Sequence, residues 1–313
     1  MVTQPYIVEQ VLLGVKTEAS YGTQATLTAG TDFLYVENVD LKIDTKGVER
    51  NYKHNALNAL ADAPGSTIFN LSFEAEYQTS GSAGDVLAPY GALEAAAGLK
   101  ASVSASNSVT YVMEHTASSG FPSPGSSATV QVYFRDKLFT LTGVYGNIEE
   151  THKADGIVKL KFTGQGLYQT ESSATMPAAT FKENYVRVAS ASMSTHGYDP
   201  EFTEFTINYG NDVKAIQYAG TANGYGKVMI VGRKPVVTFK TLMDSKAGHD
   251  FIGRRIDKST GSISLQDGSG TGNKILYTMG TTQYREVDIA EDNGVFVYNV
   301  TANVIGNFTK KIF

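Results

Sequence analysis

The sequence predicts a mainly β chain of two similar halves, each with one modest helix. Three observations carry this prediction. Apolar residues recur every second position along most of the chain, helical spacing occurs in only two places, and the halves align with each other.

The alternation begins in Phe33 to Asp44, where Val39, Leu41 and Ile43 share one face and Asn38, Asp40 and Lys42 the other. It continues through Phe69, Leu71, Phe73, Ala75 and Tyr77, then Val130 to Phe134, Phe139 to Leu141 and Ile157 to Phe162. It returns in Val236 to Phe239, Ile263 to Leu265, Ile275 to Tyr277 and Val295 to Val300. One-sided alternation marks half-buried, mostly antiparallel strands. The first helix is expected within Asp85 to Leu99, from the spacing of Val86, Tyr90, Leu93 and Ala97. Asp85 is its expected N-cap, Pro89 falls in its first turn and Gly98 stops it. His249 to Asp257 is the second candidate, with Ile252 and Ile256 four apart.

A shift of 166 positions places Val39, Leu41 and Ile43 on Phe205, Ile207 and Tyr209, and Leu71 and Phe73 on Val237 and Phe239. The same shift sets Val86 and Tyr90 on Ile252 and Ile256. A shift of 138 then places Leu160 and Phe162 on Tyr298 and Val300, and Asp155-Gly156 on Asn293-Gly294, two type I′ hairpin signals. The change of shift falls at a Ser-, Gly- and Pro-rich insertion of the first half, about 100–128. The expected division is an N-terminal arm 1–31, a first domain 32–170, a linker 171–182 and a second domain 183–313. Lys46 to Ser66 and Asp212 to Lys234 read as long hairpins or excursions.

Composition narrows the function. The 313 residues include no Cys, which excludes thiol catalysis, disulfides and Cys-ligated zinc. The net charge of −5 argues against a protein whose main work is gripping nucleic acid. No run of 18 apolar residues predicts a membrane span, and the stretch Met1 to Leu13 reads as no signal peptide. The five histidines show no metal-ligand spacing. Glu150 and His152 share a strand face, as a carboxylate–His base would, but the pair reads as a solvated strand end before a turn. His196 to Asp199 reads as a loop. Gly268 to Lys274 lacks the order of a phosphate-binding loop and a following helix. Asn70, Asn299 and Asn307 fit the glycosylation pattern by chance. Arg233-Lys234, Arg254-Arg255 and Lys310-Lys311 are isolated basic pairs. An enzyme is therefore not expected, nor a cofactor or metal. A duplicated β scaffold with open sheet edges reads as an assembly subunit.

Several stretches resemble the major tail tube protein of long, non-contractile-tailed bacteriophages. They are Glu18 to Thr23, Tyr35 to Leu41 leading to Val48 to Asn51, Gly224 to Pro235, Gln283 to Ile289, and the turn Asn293-Gly294 before a last strand. The resemblance implies two tandem tail-tube-like β-sandwich or half-barrel domains, each with a short flanking helix. It implies stacked rings forming a tube through which viral DNA passes without specific binding, in a virion assembled in the host cytoplasm. Two domains per chain imply a trimeric ring with pseudo-sixfold symmetry, and partners would include tape measure, tail-tip and terminator proteins. By the same resemblance, Glu49, Arg50, Tyr52, Tyr218, Tyr225, Lys227 and Tyr21 are candidates for contacts between rings, and the 100–128 insertion decorates the outside. The alternatives are another phage tail, baseplate or surface-layer subunit, a carbohydrate-binding β-sandwich, and last a hydrolase using Glu150 with His152.

Overall fold

The computed structural model describes residues 10–50, 52, 60–113, 127–188, 191–221, 223–245 and 248–313. The first half contains β1 (Val11–Thr17), β2 (Phe33–Leu34), β3 (Glu37–Val48), β4 (Ala63–Glu76), α1 (Ala88–Ala96), β5 (Leu99–Ser104) and β6 (Ser108–Met113). It continues with β7 (Ala128–Phe134), β8 (Lys137–Lys153), β9 (Lys159–Tyr168) and β10 (Ser172–Ser173). The second half contains β11 (Ser192–Thr195), β12 (Phe202–Asn208), β13 (Asn211–Gln217), β14 (Tyr225–Arg233) and β15 (Val236–Leu242). After it come α2 (Phe251–Ile256), β16 (Thr260–Asp267), β17 (Ile275–Asp292), β18 (Val295–Val304) and β19 (Phe308–Ile312). The protein is mainly β.

Alternation decides which face of each strand is buried. In β4, Phe69, Leu71, Phe73 and Ala75 are buried while Asn70, Ser72, Glu74 and Glu76 lie on the opposite face. The same antiparallel pattern occurs twice, as β3–β4–β9–β8 and as β12–β15–β18–β17. Registers match as well as order. Leu71 pairs with Leu41 and Gly164, and its counterpart Val237 pairs with Ile207 and Ala302. The first part of β8 leaves this inner sheet to pair with β7, which carries β1, and β17 likewise pairs with β16, which carries β11. Each half is thus a sandwich whose two layers share one long strand, with Phe69, Phe73 and Phe162, or Phe205 and Phe239, between the layers.

The halves join edge to edge. Glu149–Lys153 of β8 pairs with Asn208–Glu204 of β12, making one inner sheet of order β3-β4-β9-β8-β12-β15-β18-β17. On the outer side, β19 lies between β17 and β6.

Several expectations are corrected. Segment 1–31 is not a detached arm, because Val11–Thr17 is β1, with Leu13 and Val15 in the core. The insertion about 100–128 does not simply decorate the outside. Its first part is the hairpin β5–β6, which buries Val109, Tyr111 and Met113 and pairs with β19 of the other half; residues 114–126 lie outside the described residues. The 171–182 linker is packed, with β10 on β8 and Phe181 stacked on Tyr35 at 4.1 Å. Helix α1 starts after Leu87, not at Asp85, and no side chain caps it; Pro89 in the first turn and the extended backbone of Leu87 set its start. In α2 it is Phe251 that is buried, while Ile252 and Ile256 are exposed, so their spacing marks the outer face. Only Asn293-Gly294 has both residues at positive φ, as type I′ requires; at the other turn Asp155 alone does. Ile43 lies 49% exposed, off the core.

Asp212 to Lys234 forms the hairpin β13–β14, which reaches back over the first half. Tyr225, Val228 and Ile230 pack there with Ile68 and Tyr145. The excursion Lys46 to Ser66 extends β3 and β4, and residues 51 and 53–59 near its tip lie outside the described residues.

Candidate assembly interface

The joint between the halves is a buried charged cluster. Lys310 on β19 reaches Glu94 on α1 and Glu150 on β8, with Nζ 2.6 Å from an oxygen of each, and all three side chains are fully buried. The hydroxyl of Tyr209, just past β12, lies within hydrogen-bond distance of both carboxyls, 3.0 Å from Glu94 and 2.9 Å from Glu150, and Tyr277 on β17 donates to Glu150. The Tyr77 ring lies 3.6 Å from the ammonium. His152 sits beside this cluster with Nδ1 2.6 Å from Asp267 Oδ2. Burial raises both glutamates' affinity for protons, but the balance differs. At Glu94 burial outweighs Lys310 and pushes the carboxyl up to about 7. At Glu150, Lys310, His152 and the hydrogen bonds overcome burial and hold it below the usual range.

Glu150 and His152 therefore share a face as the sequence predicted, but that face is the sealed interior and not a solvated strand end. Lys310 had a signal too. In β19, Phe308, Lys310 and Ile312 alternate inward, so the strand period puts this lysine with the apolar residues and Lys311 on the other face. The three charged side chains are fully buried, and among the described residues no group of three or more His, Asp or Glu is placed to hold a metal ion.

The ends of the inner sheet differ from its middle. Among the described residues, β3 pairs only with β4, and β17 beyond Gln283 pairs only with β18. These edges are counterparts of the two that meet inside the chain, since β3 matches β12 and β17 matches β8. A one-residue bulge at Arg285 slips the match by one, so Glu150 corresponds to Ile289. Several side chains buried at the joint have exposed counterparts at the open edges. Glu150 and Val158 are 0% exposed, whereas their counterparts Ile289 and Phe296 are 55% and 65% exposed. Tyr209 is 0% exposed and its counterpart Ile43 is 49% exposed.

Of the seven candidate ring-contact residues, Glu49, Arg50, Tyr52, Tyr218 and Lys227 are exposed. Tyr225, the first residue of β14, is buried against Ile68 and Tyr145 of the first half. Tyr21 packs in the same cluster, its hydroxyl accepting from Val228 N at 2.5 Å. Those two act within the chain.

The fold also brings together histidines that are far apart in sequence. His196 and His249 lie 6.4 Å apart around Tyr284, with His196 Nε2 3.1 Å from Thr282 Oγ1 and His249 Nε2 3.1 Å from Tyr284 OH. Burial, reinforced by Arg254, pushes both down to about 4, below the ordinary 6.5. Because the unfolded chain takes up protons first, the stability they contribute is present above pH 6.5 and lost as pH falls towards 4. The His196→Gln/His249→Gln double variant should lose less stability across that window than the parent, as read from urea midpoints at pH 7 and pH 4.5.

No protein-family model matches the chain, and no curated protein matches it. Among the described residues no helix is long and apolar enough to cross a membrane.

Proposed function

We propose that the protein is a structural subunit that polymerises through the open edges of its inner sheet into rings, which stack as the tail tube of a phage virion. The observation that carries this reading is the pair of complementary edges, unpaired among the described residues and flanked by Ile43, Ile289 and Phe296, whose counterparts are buried where the halves join. Unpaired strand edges beside apolar side chains are sites of strand addition. Because the two edges differ, the contact is heterologous, and a heterologous contact closes a ring when its rotation divides a full turn.

Two sandwich units per chain favour three chains for a pseudo-sixfold ring, with the solvent face of the inner sheet as the lining of a conduit for DNA. That face carries Glu74, Glu76 and Glu149 on one half and Glu204, Glu286 and Asp288 on the other, among lysines and amides. Carboxylates repel phosphates and let a nucleic acid slide without binding. Exposed Tyr52, Tyr218 and Lys227 are the proposed contacts to the next ring, and tape measure, tip and terminator proteins the proposed further partners.

Negative-stain electron microscopy at rising protein concentration tests this reading. Hollow tubes of regularly spaced rings, threefold in averaged end views, are expected. Monomers alone at every concentration and salt would overturn it.

A further inference from the structure

We propose that one copy seats its β3 on the open edge of the next copy's β17 in the register that β12 takes on β8. We propose further that the two joints carry different chemical addresses, so that they do not interchange. This rests on the assembly reading above and adds its register and its selectivity.

The register follows from the joint inside the chain. There Ile207 lies opposite Glu150, and Asn208 opposite Glu149. Transferred to the open edges, Leu41 lies opposite Ile289 and Lys42 opposite Asp288. Among the described residues Lys42 pairs with its exposed neighbour Asp40, at 2.8 Å, and its own side chain is 73% exposed, so its ammonium can reach a carboxylate across the new ladder. Ile43 takes the place of Tyr209 and covers Ile289 in the place of Glu150.

The address is this exchange of polar for apolar. Inside the chain, the Tyr209 hydroxyl serves Glu94 and Glu150, and Lys310 completes the set. Were β12 of one copy to seat on β17 of another, Tyr209 would be buried against Ile289 without either carboxylate. Were β3 to seat on β8, Ile43 would leave both glutamates short of a donor. Each wrong joint strands Tyr209 or the two glutamates without the partner that the inner joint supplies, whereas each right joint strands neither. The outer layer adds to the distinction, because β6 and β19 bridge the halves only at the joint inside the chain. Selectivity of this kind keeps the second half of a chain on its own first half while copies are adding to one another.

The absence of cysteine makes the register directly testable. Oxidised Leu41→Cys/Ile289→Cys protein should run as a ladder of disulfide-linked multimers, because directly opposed residues have Cβ atoms about 4.5–5.5 Å apart. Leu41→Cys/Asp288→Cys, whose side chains would leave opposite faces, should not. Equal ladders from both pairs would overturn the register.

The address is tested by transplanting one polar pair. Ile289→Glu should raise the concentration needed for assembly by about a hundredfold, since it buries a carboxylate without a donor. The monomer should keep its circular dichroism spectrum and unfolding midpoint, because position 289 is exposed in the single chain. Adding Ile43→Tyr should recover at least about tenfold, the tyrosine serving the new carboxylate as Tyr209 serves Glu150. Wild-type assembly by Ile289→Glu would overturn the edge contact itself. A block that Ile43→Tyr does not relieve would overturn the address while leaving the edge contact standing.

Discussion

Lys310→Met should destabilise the monomer by about 3–5 kcal/mol, the usual cost of removing one member of a buried ion cluster. Methionine matches the volume of lysine but leaves Glu94 and Glu150 facing each other without a cation, in a site from which water is excluded. The loss should appear as a lower urea midpoint. Adding Glu94→Gln and Glu150→Gln should return roughly half of it, because no uncompensated charge then remains. The sign of the pH dependence is a second check. Without Lys310 both carboxyls are raised above their unfolded value, so the stability they contribute is present below that value and lost as pH rises. The defect should therefore be smaller at pH 5 than at pH 8. A cluster that merely filled space would show neither the recovery nor the pH dependence.

Gly210→Ala should be comparably damaging, by about 3 kcal/mol, and its effect should concentrate in the β13–β14 hairpin. Gly210 has φ +64°, and a Cβ there would lie 1.9 Å from the Lys234 carbonyl oxygen. A left-handed alanine costs about 1–2 kcal/mol alone, and displacing the backbone adds to that. Gly197→Ala is the control, since Gly197 also has positive φ (+80°) but nothing lies within 4 Å of the added Cβ. It should show the conformational cost alone. Hydrogen exchange should speed up across Asn211–Arg233 in the Gly210 variant, because that position anchors the hairpin. Gly210 N donates to Asn208 Oδ1 at 2.8 Å, and Lys234 N donates to Gly210 O at 2.9 Å. Loss of the hairpin would uncover Val228 and Ile230.

Much of the fold was legible because burial on one side of a strand writes itself as alternation. The faces of β4, β9 and β15 follow from it, and the repeat shifts of 166 and 138 reappear in the pairing of Leu71 and Val237. β1 was not legible as a strand. Leu12 faces Phe33 and Tyr133 while Leu13 faces the main core, so both faces are covered and the apolar run is continuous. The insertion hairpin β5–β6 was missed because its role depends on β19, some two hundred residues away in sequence. The open edges could not be placed from sequence either, since Ile43 and Ile289 look like core residues until the neighbour that buries their counterparts is seen. The His196–His249 pair is of the same kind, a contact that no local spacing encodes.

The long strands β8 and β17 have a mechanical consequence. In most sandwiches the two layers are held together by side-chain packing, which yields to sliding. Here one backbone runs from the outer layer into the inner one in each half. A shear load that pushes the layers past each other is therefore borne along covalent bonds and by hydrogen-bond ladders loaded in parallel. The wall of anything built from this chain should be stiff against bending and twist, and its inner and outer surfaces should deform together.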